Sequence, residues 1–170
     1  MAETNLHELI NNLIDAGLDP QPEADGVFVR GEKGNSSLIG TDAGDVLDAQ
    51  SKGKKTLAGG RGDDIYLADG AYTIVEEDDG GQDMLVTRES TSIFTLPENV
   101  EVLLSLGANN SIKRISGNDG GNILIIEPKI TDELDAKGGD DIIYMSNIGG
   151  LIKGGEGQDT FVLDGRQDDY

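Results

Sequence analysis

The sequence predicts an all-β parallel solenoid of two parallel sheets, with about 19 residues per coil and about seven coils. Three observations predict it. Glycine-rich turns ending in an aspartate or asparagine recur at a near-constant step. An apolar residue stands two places after each. A second apolar series of the same period runs out of phase with the first.

The turn-ending residues are Asp45, Asp64, Asp83, Asn122, Asp141 and Asp159, at steps of 19, 19, 39, 19 and 18. The step of 39 is two periods with one degenerate turn between them. The apolar residues that follow are Leu47, Tyr66, Leu85, Leu124, Ile143 and Phe161; Phe28 lies 19 before Leu47, and Leu103 falls in the gap. The second series is Leu38, Leu57, Ile74, Phe94, Ile115, Leu134 and Ile152, at steps of 17 to 21. Two short strands per period, each coil buried only by its neighbours, define a two-walled solenoid. At about 4.8 Å per strand, seven coils make a rod of roughly 34 Å.

A chain of 170 residues is one domain by length. Its formal charge of −20 comes from 33 acidic and 13 basic residues, which argues against nucleic acid and anionic membranes as partners. Such charge often marks disorder, but "DIYLA", "YTIVE", "DMLVT" and "NILIIE" are well-formed strands bounded by turn residues. Without cysteine there is no disulfide scaffold and no thiolate metal site. No apolar run approaches the roughly 18 residues of a membrane span, and no signal-peptide pattern opens the chain, so membrane insertion is not expected.

Residues 1–25 read as an amphipathic helix and linker, 26–165 as the solenoid and 166–170 as a tail. Leu6, Leu9, Ile10, Leu13 and Ile14 share one helical face, Asn5 and Glu8 form a capping pair, and Gly17 is the stop. The strands of the first sheet are apolar on both faces. Ile65 and Leu67, Met84 and Val86, Val102 and Leu104, Ile123 and Ile125, Ile142 and Tyr144 flank the inward residues and should point outward. Strands apolar on both faces are covered on both faces. The helix, a loop such as the one after Gly17, a second copy of the chain or a partner domain would supply that cover. The second sheet is flanked instead by Arg114 and Ser116, then Glu133 and Asp135.

"GGRGDDIYL" and "GGEGQDTFV" resemble the Gly-Gly-x-Gly-x-Asp-x-apolar-x nonapeptide of the RTX, or hemolysin-type, calcium-binding β-rolls. Partial matches are "GTDAGDVL", "DDGGQDML", "GNDGGNIL" and "KGGDDIIY". "TLPENVEVLLSLG", Thr95 to Gly107, is similar to the irregular coil that interrupts the repeat in many secreted bacterial relatives. The resemblance covers about Leu38 to Leu163.

Calcium chemistry suits the motif. The ion takes six to eight oxygen ligands and accepts backbone carbonyls. Glycines let a turn adopt positive φ and aim its carbonyls at one point. The aspartate supplies charge, and the apolar residue two places on anchors the strand. The resemblance implies that each ion sits between turns stacked one coil apart: Asp45 with Asp64, Asp64 with Asp83, Asn122 with Asp141, and Asp141 with Asp159. It implies that carbonyls of Gly59, Arg61, Gly81, Gly139, Gly155 and Gly157 complete the sites. Asn122 lacks charge, so its site should be weak. The opposite turns, "DAQSKGKK", "ADGA", "RESTS", "GANNS", "EPKITDE" and "SNIGG", carry no Gly-x-Gly-x-Asp, so ions are expected along one edge only.

Catalysis is not expected. His7 reads as solvated surface or a helix cap. The doublets Asp63–Asp64 and Asp140–Asp141 recur with the turns rather than in a single cleft. There is no Gly-x-Ser-x-Gly, no Walker loop and no zinc triad. The resemblance implies a non-enzymatic calcium-binding module, extracellular and either secreted or at a bacterial cell surface. It would leave by type I secretion, fold on calcium outside the cell, and be part of or companion to a larger secreted protein. The −20 charge suits such a switch, since repulsion opens the metal-free chain. The rival expectation is a glycan-binding or accessory module of a polysaccharide-modifying exoenzyme or adhesin, with extracellular polysaccharide as partner.

The shared carboxylates give a first prediction. Asp64→Ala and Asp141→Ala each remove a group placed between two proposed sites, so in excess calcium each should lower the melting temperature more than Asp135→Ala. Equal losses in all three variants would contradict the pairing.

Overall fold

A computed structural model describes residues 22–163 except 35, 51–52, 79, 88–92, 107–111, 128 and 146–148. The expected helix over Leu6–Ile14, with His7, and the 166–170 tail lie outside the described residues. The described residues form an all-β parallel solenoid of about six turns of about 19 residues, against the seven counted from the repeat.

One wall is a continuous eight-stranded sheet. Its strands in spatial order are β1 (Phe28–Arg30), β3 (Val46–Asp48), β5 (Ile65–Leu67), β7 (Met84–Thr87), β9 (Val102–Ser105), β11 (Ile123–Ile126), β13 (Ile142–Met145) and β15 (Thr160–Leu163). The opposite wall has a three-stranded sheet, β2 (Ser37–Ile39), β4 (Lys55–Ala58) and β6 (Tyr72–Ile74). Beside it stands a four-stranded sheet, β8 (Ile93–Thr95), β10 (Ile112–Ser116), β12 (Ile130–Asp135) and β14 (Leu151–Lys153). The spacing of the two apolar series therefore corresponds to the two walls.

Register turns each series into a column. Leu47, Tyr66, Leu85, Leu103, Leu124 and Ile143 are direct parallel partners along the first wall. All are fully buried in one core cluster. Leu38 pairs with Leu57 and Leu57 with Ile74 in the second wall. Phe94, Ile115, Leu134 and Ile152 continue in the four-stranded part. The first coil departs from the expected period. Val29, not Phe28, pairs with Leu47 and packs on the core, a step of 18 residues rather than 19. Phe28 pairs with Val46, and the Arg30 guanidinium lies over its ring at 5.1 Å, a cation–π contact.

Among the described residues the second wall is interrupted between β6 and β8, which follow each other in the stack yet share no ladder there. Side-chain amides tie the turns beside this seam. Asn99, held at a φ of 60°, donates from Nδ2 to the Glu76 carbonyl at 3.2 Å and to Asp78 Oδ1 at 3.1 Å. Asn118 Nδ2 donates to the carbonyls of Pro97 at 2.7 Å and Val100 at 2.9 Å. The irregular coil expected from Thr95 begins here. Its turn sends Leu96 and Val100 into the core.

The two outer faces differ as the flanking residues predict. On the eight-stranded sheet Met84, Val86, Val102, Leu104 and Ile125 form a second buried apolar cluster, with Ile65, Leu67, Leu106, Ile123 and Tyr144 packed against it. On the four-stranded sheet Glu133 sits between Arg114, whose Nε is 3.2 Å from its carboxylate, and the Lys153 ammonium, which donates to it. That hydrogen bond lowers the Glu133 pKa from its ordinary value. Such exposed cross-strand pairs are screened by solvent and contribute little to stability.

Truncation in the column should therefore be costly and truncation on the polar wall should not. Leu85→Ala removes a side chain with 0% exposure and should cost about 2–5 kcal/mol in urea unfolding. Ile93→Ala, at 63% exposure, should change stability by no more than about 0.5 kcal/mol.

Candidate metal centre

The glycine-rich turns occupy one edge between the walls, and their glycines serve two purposes. Gly81, Gly139, Gly155 and Gly157 hold φ values of 143°, 91°, 115° and 125°, where a side chain would be strained. Gly59 instead makes room: a Cβ there would lie 1.7 Å from Asp64 Oδ2 and 2.4 Å from the Tyr66 hydroxyl oxygen. Gly40 and Gly154 stand in the same relation to Asp45 and Asp159. The glycine five places before each of these aspartates leaves the volume that the carboxylate occupies.

The turn aspartates stand in a file and bond from coil to coil. Asp45 Oδ1 accepts the Val27 N–H at 2.5 Å, Asp64 Oδ1 accepts the Asp45 N–H at 2.7 Å, and Asp83 Oδ1 accepts the Asp64 N–H at 2.9 Å. Glu101 Oε2 continues the file by accepting the Asp83 N–H at 2.8 Å. In the later coils Asp141 Oδ1 accepts from Asn122 N at 2.7 Å, and Asp159 Oδ1 from Asp141 N at 3.2 Å. Each side chain thus caps the backbone of the coil before it. The doublets divide this labour: Asp63 Oδ1 and Asp140 Oδ1 accept from Gln82 and Gln158 N–H groups of the coil after, at 2.9 and 2.8 Å. That bonding gives each aspartate of a doublet its own structural partner.

Every expected carboxylate or amide ligand lies on this edge, but their states differ. Asp45, Asp64, Asp83, Asn122 and Asp141 are buried, and Asp159, near the last strand, is half-buried. Both oxygens of Asp45 accept hydrogen bonds, Oδ2 from the N–H of Thr41. Asn122 is closed by Asn118, whose N–H donates to its Oδ1 at 3.0 Å and whose Oδ1 accepts from its Nδ2 at 2.7 Å. Among the carbonyl candidates, Gly59 O and Gly139 O face glycines of adjacent coils: a Cβ on Gly40 would lie 2.4 Å from the first, and one on Gly157 2.1 Å from the second. Gly59 is buried, Gly139 half-buried, and Arg61, Gly81, Gly155 and Gly157 are exposed. The Arg61 N–H donates to the Thr41 carbonyl at 3.3 Å.

Among the described residues, three carboxylates on this file are left with a buried, unpaired oxygen: Asp64 Oδ2, Asp83 Oδ2 and Asp141 Oδ2. A fourth such oxygen, Glu76 Oε2, comes from the chain just after β6. Asp64, Glu76 and Asp83 bring one carboxylate oxygen each to within 4.8 Å of one another. Around them the Gly59 N–H donates to the Tyr66 hydroxyl at 2.8 Å and to Glu76 Oε1 at 3.2 Å. A Cβ on Gly80 would lie 2.9 Å from Glu76 Oε2 and 3.2 Å from Asp83 Oδ2.

Three full charges cannot stay in this space uncompensated. At an effective dielectric constant of about 20, two unit charges about 4.8 Å apart repel by roughly 3.5 kcal/mol. Burial, reinforced by the neighbouring carboxylates, pushes Asp64 up to about 7 despite the opposing Asp45 amide. Burial pushes Glu76 up to about 7, with Asp83 adding to the rise. Asp83 is raised to about 6 by burial, and the Glu101 carboxylate contributes to it. Asp141 rises to about 6 for the same first reason, with Asp159 and Asp140 adding. The cluster must take up protons or a cation. Its oxygen-only donors and glycine-lined space fit a hard divalent ion.

Glu76 and Glu101 lie outside the glycine-rich turns that mark the other acidic residues of this edge. Glu101 precedes Leu103 by two, in phase with the aspartates, and so fills the degenerate turn. Glu76 is out of phase and carries no such signal. No family model, curated protein or solved structure matches the chain.

The raised values fix the sign of a pH dependence. Carboxyls at about 6 to 7 in the folded state, against ordinary values of 3.8 and 4.5, favour folding fully below pH 4. That contribution is lost as pH rises through 6 to 7. The chelator-treated protein should melt lower at pH 8 than at pH 5, and Asp64→Asn should flatten the slope. A melting temperature that rises over this interval would contradict the assignment.

Proposed function

We propose that this chain is a non-enzymatic calcium-binding β-roll of the RTX type, ordered by calcium outside the bacterial cell as part of or companion to a larger secreted protein. The observation that carries the reading is the convergence of the Asp64, Glu76 and Asp83 carboxylates, each of which also has one buried oxygen that accepts no hydrogen bond. These three side chains would hold the ion. Calcium would supply the positive charge that their burial demands, and it favours oxygen donors without requiring the strict octahedron of magnesium.

The file of aspartates explains how binding would couple to folding. Asp64 and Asp83 each use Oδ1 to cap the preceding coil and keep Oδ2 for the cluster. The cluster exists only when the coils of Asp64 and Asp83 are stacked and Glu76 follows β6 between them. An ion bound there stabilises the native state alone, by about 2.7 kcal/mol when its concentration is a hundred times the dissociation constant. Asp141, with Asp159 one coil on, offers a second, less acidic location. The extracellular setting rests on the resemblance of the turns and on the −20 charge, which repels itself until cations arrive.

Calorimetric titration with calcium chloride, alongside melting in excess calcium and in EDTA, tests the reading. Saturable binding and a higher melting temperature in calcium are expected. Glu76→Gln should weaken the tightest site about tenfold or more, the effect of one lost carboxylate ligand at about 1.4 kcal/mol or above. Asp135→Asn should leave it unchanged. Identical melting in calcium and EDTA would refute calcium binding.

A further inference from the structure

The outer face of the eight-stranded sheet is the largest feature that the cation site does not use. Met84, Val86, Val102, Leu104 and Ile125 point away from the core columns, yet Leu104 is 0% and Val86 2% exposed. All fifteen strands belong to the two walls, so no described strand lies over this face. Five apolar side chains in register across β7, β9 and β11 make a surface of a kind that soluble proteins seldom leave bare.

We infer that the N-terminal segment of the same chain, residues 5–17, seats on this face as an amphipathic helix. Leu6, Leu9, Ile10, Leu13 and Ile14 repeat at the spacing of one helical face, and the opposite positions carry His7, Glu8, Asn11, Asn12 and Asp15. Length agrees with the surface. Thirteen helical residues span roughly 20 Å, and four strands about 4.8 Å apart, from β5 to β11, span roughly 14 Å. Reach agrees as well. The Glu23 N–H donates to the Gly44 carbonyl at 2.8 Å, which fixes the chain one residue after the described part begins, beside β3. From β3 to β9 is three strand steps, roughly 14 Å, and the segment between residues 17 and 22 can extend further than that, about 17 Å. A short tether also makes the intramolecular contact easier than capture of a second copy at ordinary concentration.

The chain has no cysteine, so engineered pairs report the contact without background. Leu9→Cys or Leu13→Cys is combined in the full-length chain with Val86→Cys, Leu104→Cys or Ile125→Cys, and oxidised in calcium. The expected result is a monomeric, internally cross-linked product for at least one pair. No such product should form with Ile93→Cys on the opposite wall. A parallel variant, Leu9→Asp with Leu13→Asp, should bind a hydrophobic dye several-fold more than the parent while still binding calcium. Cross-linked dimers instead of monomers would overturn the inference in favour of a second copy. Absence of any cross-link, together with unchanged dye binding in the Asp variant, would overturn it outright.

Discussion

A carboxylate that accepts the backbone N–H of the coil before it is the interaction on which this structure depends. In a solenoid each coil sees only its neighbours, so a bond that crosses from one coil to the next sets the pitch and the register together. Asp45, Asp64, Asp83, Glu101, Asp141 and Asp159 make that bond on one edge. The adjoining strand ladders begin in step with it: Val46, Ile65, Met84 and Ile142 all donate to carbonyls of the neighbouring coil in the turn or just before the strand. The apolar columns then fall into line, because the residue two places after a fixed aspartate takes the same face in successive coils; Phe161, in the last described coil, is left partly exposed.

The same bond creates the chemistry of the edge. A carboxylate has two oxygens, and the file uses one. The remaining oxygen is either claimed locally, as the Thr41 N–H claims Asp45 Oδ2, or is left buried and unpaired, as in Asp64, Asp83 and Asp141. Stacking therefore concentrates negative charge as a by-product of holding the coils together. Hydrogen bonding to one oxygen offsets part of the burial penalty, but not the repulsion between adjacent rungs. Fold and charge density are in this sense one arrangement: the spacing that lets each aspartate cap its neighbour also leaves the second oxygens of Asp64, Asp83 and Asp141 buried on the same edge.

Much of this was legible because the period is strict and the side-chain alternation of a strand has only two faces. The inward residues of both walls, the placement of the turn aspartates and the apolar outer face of one sheet follow from counting. The error at Phe28 came from extending a period of 19 into a coil that uses 18, which swaps Phe28 for Val29 at the core. The file of Oδ1 bonds was hidden because Asp in a turn satisfies several backbone geometries equally well. Glu76 was hidden for a stronger reason. It joins Asp64 and Asp83 through the path of the chain after β6, and no periodicity describes a residue that belongs where the repeat fails.

That failure of the repeat has a mechanical meaning. Between β6 and β8 the described residues of the second wall carry no ladder, so the three-stranded and four-stranded parts are joined by the first wall and by the side chains of the turn edge. In a one-dimensional stack, cooperativity passes from coil to coil only as strongly as the weakest interface. At the seam the coupling between coils therefore rests on the continuous first wall and on the turn edge. Asp64, Glu76 and Asp83 sit at that junction. They bring together one residue from each of the two coils and one from the chain that crosses between them.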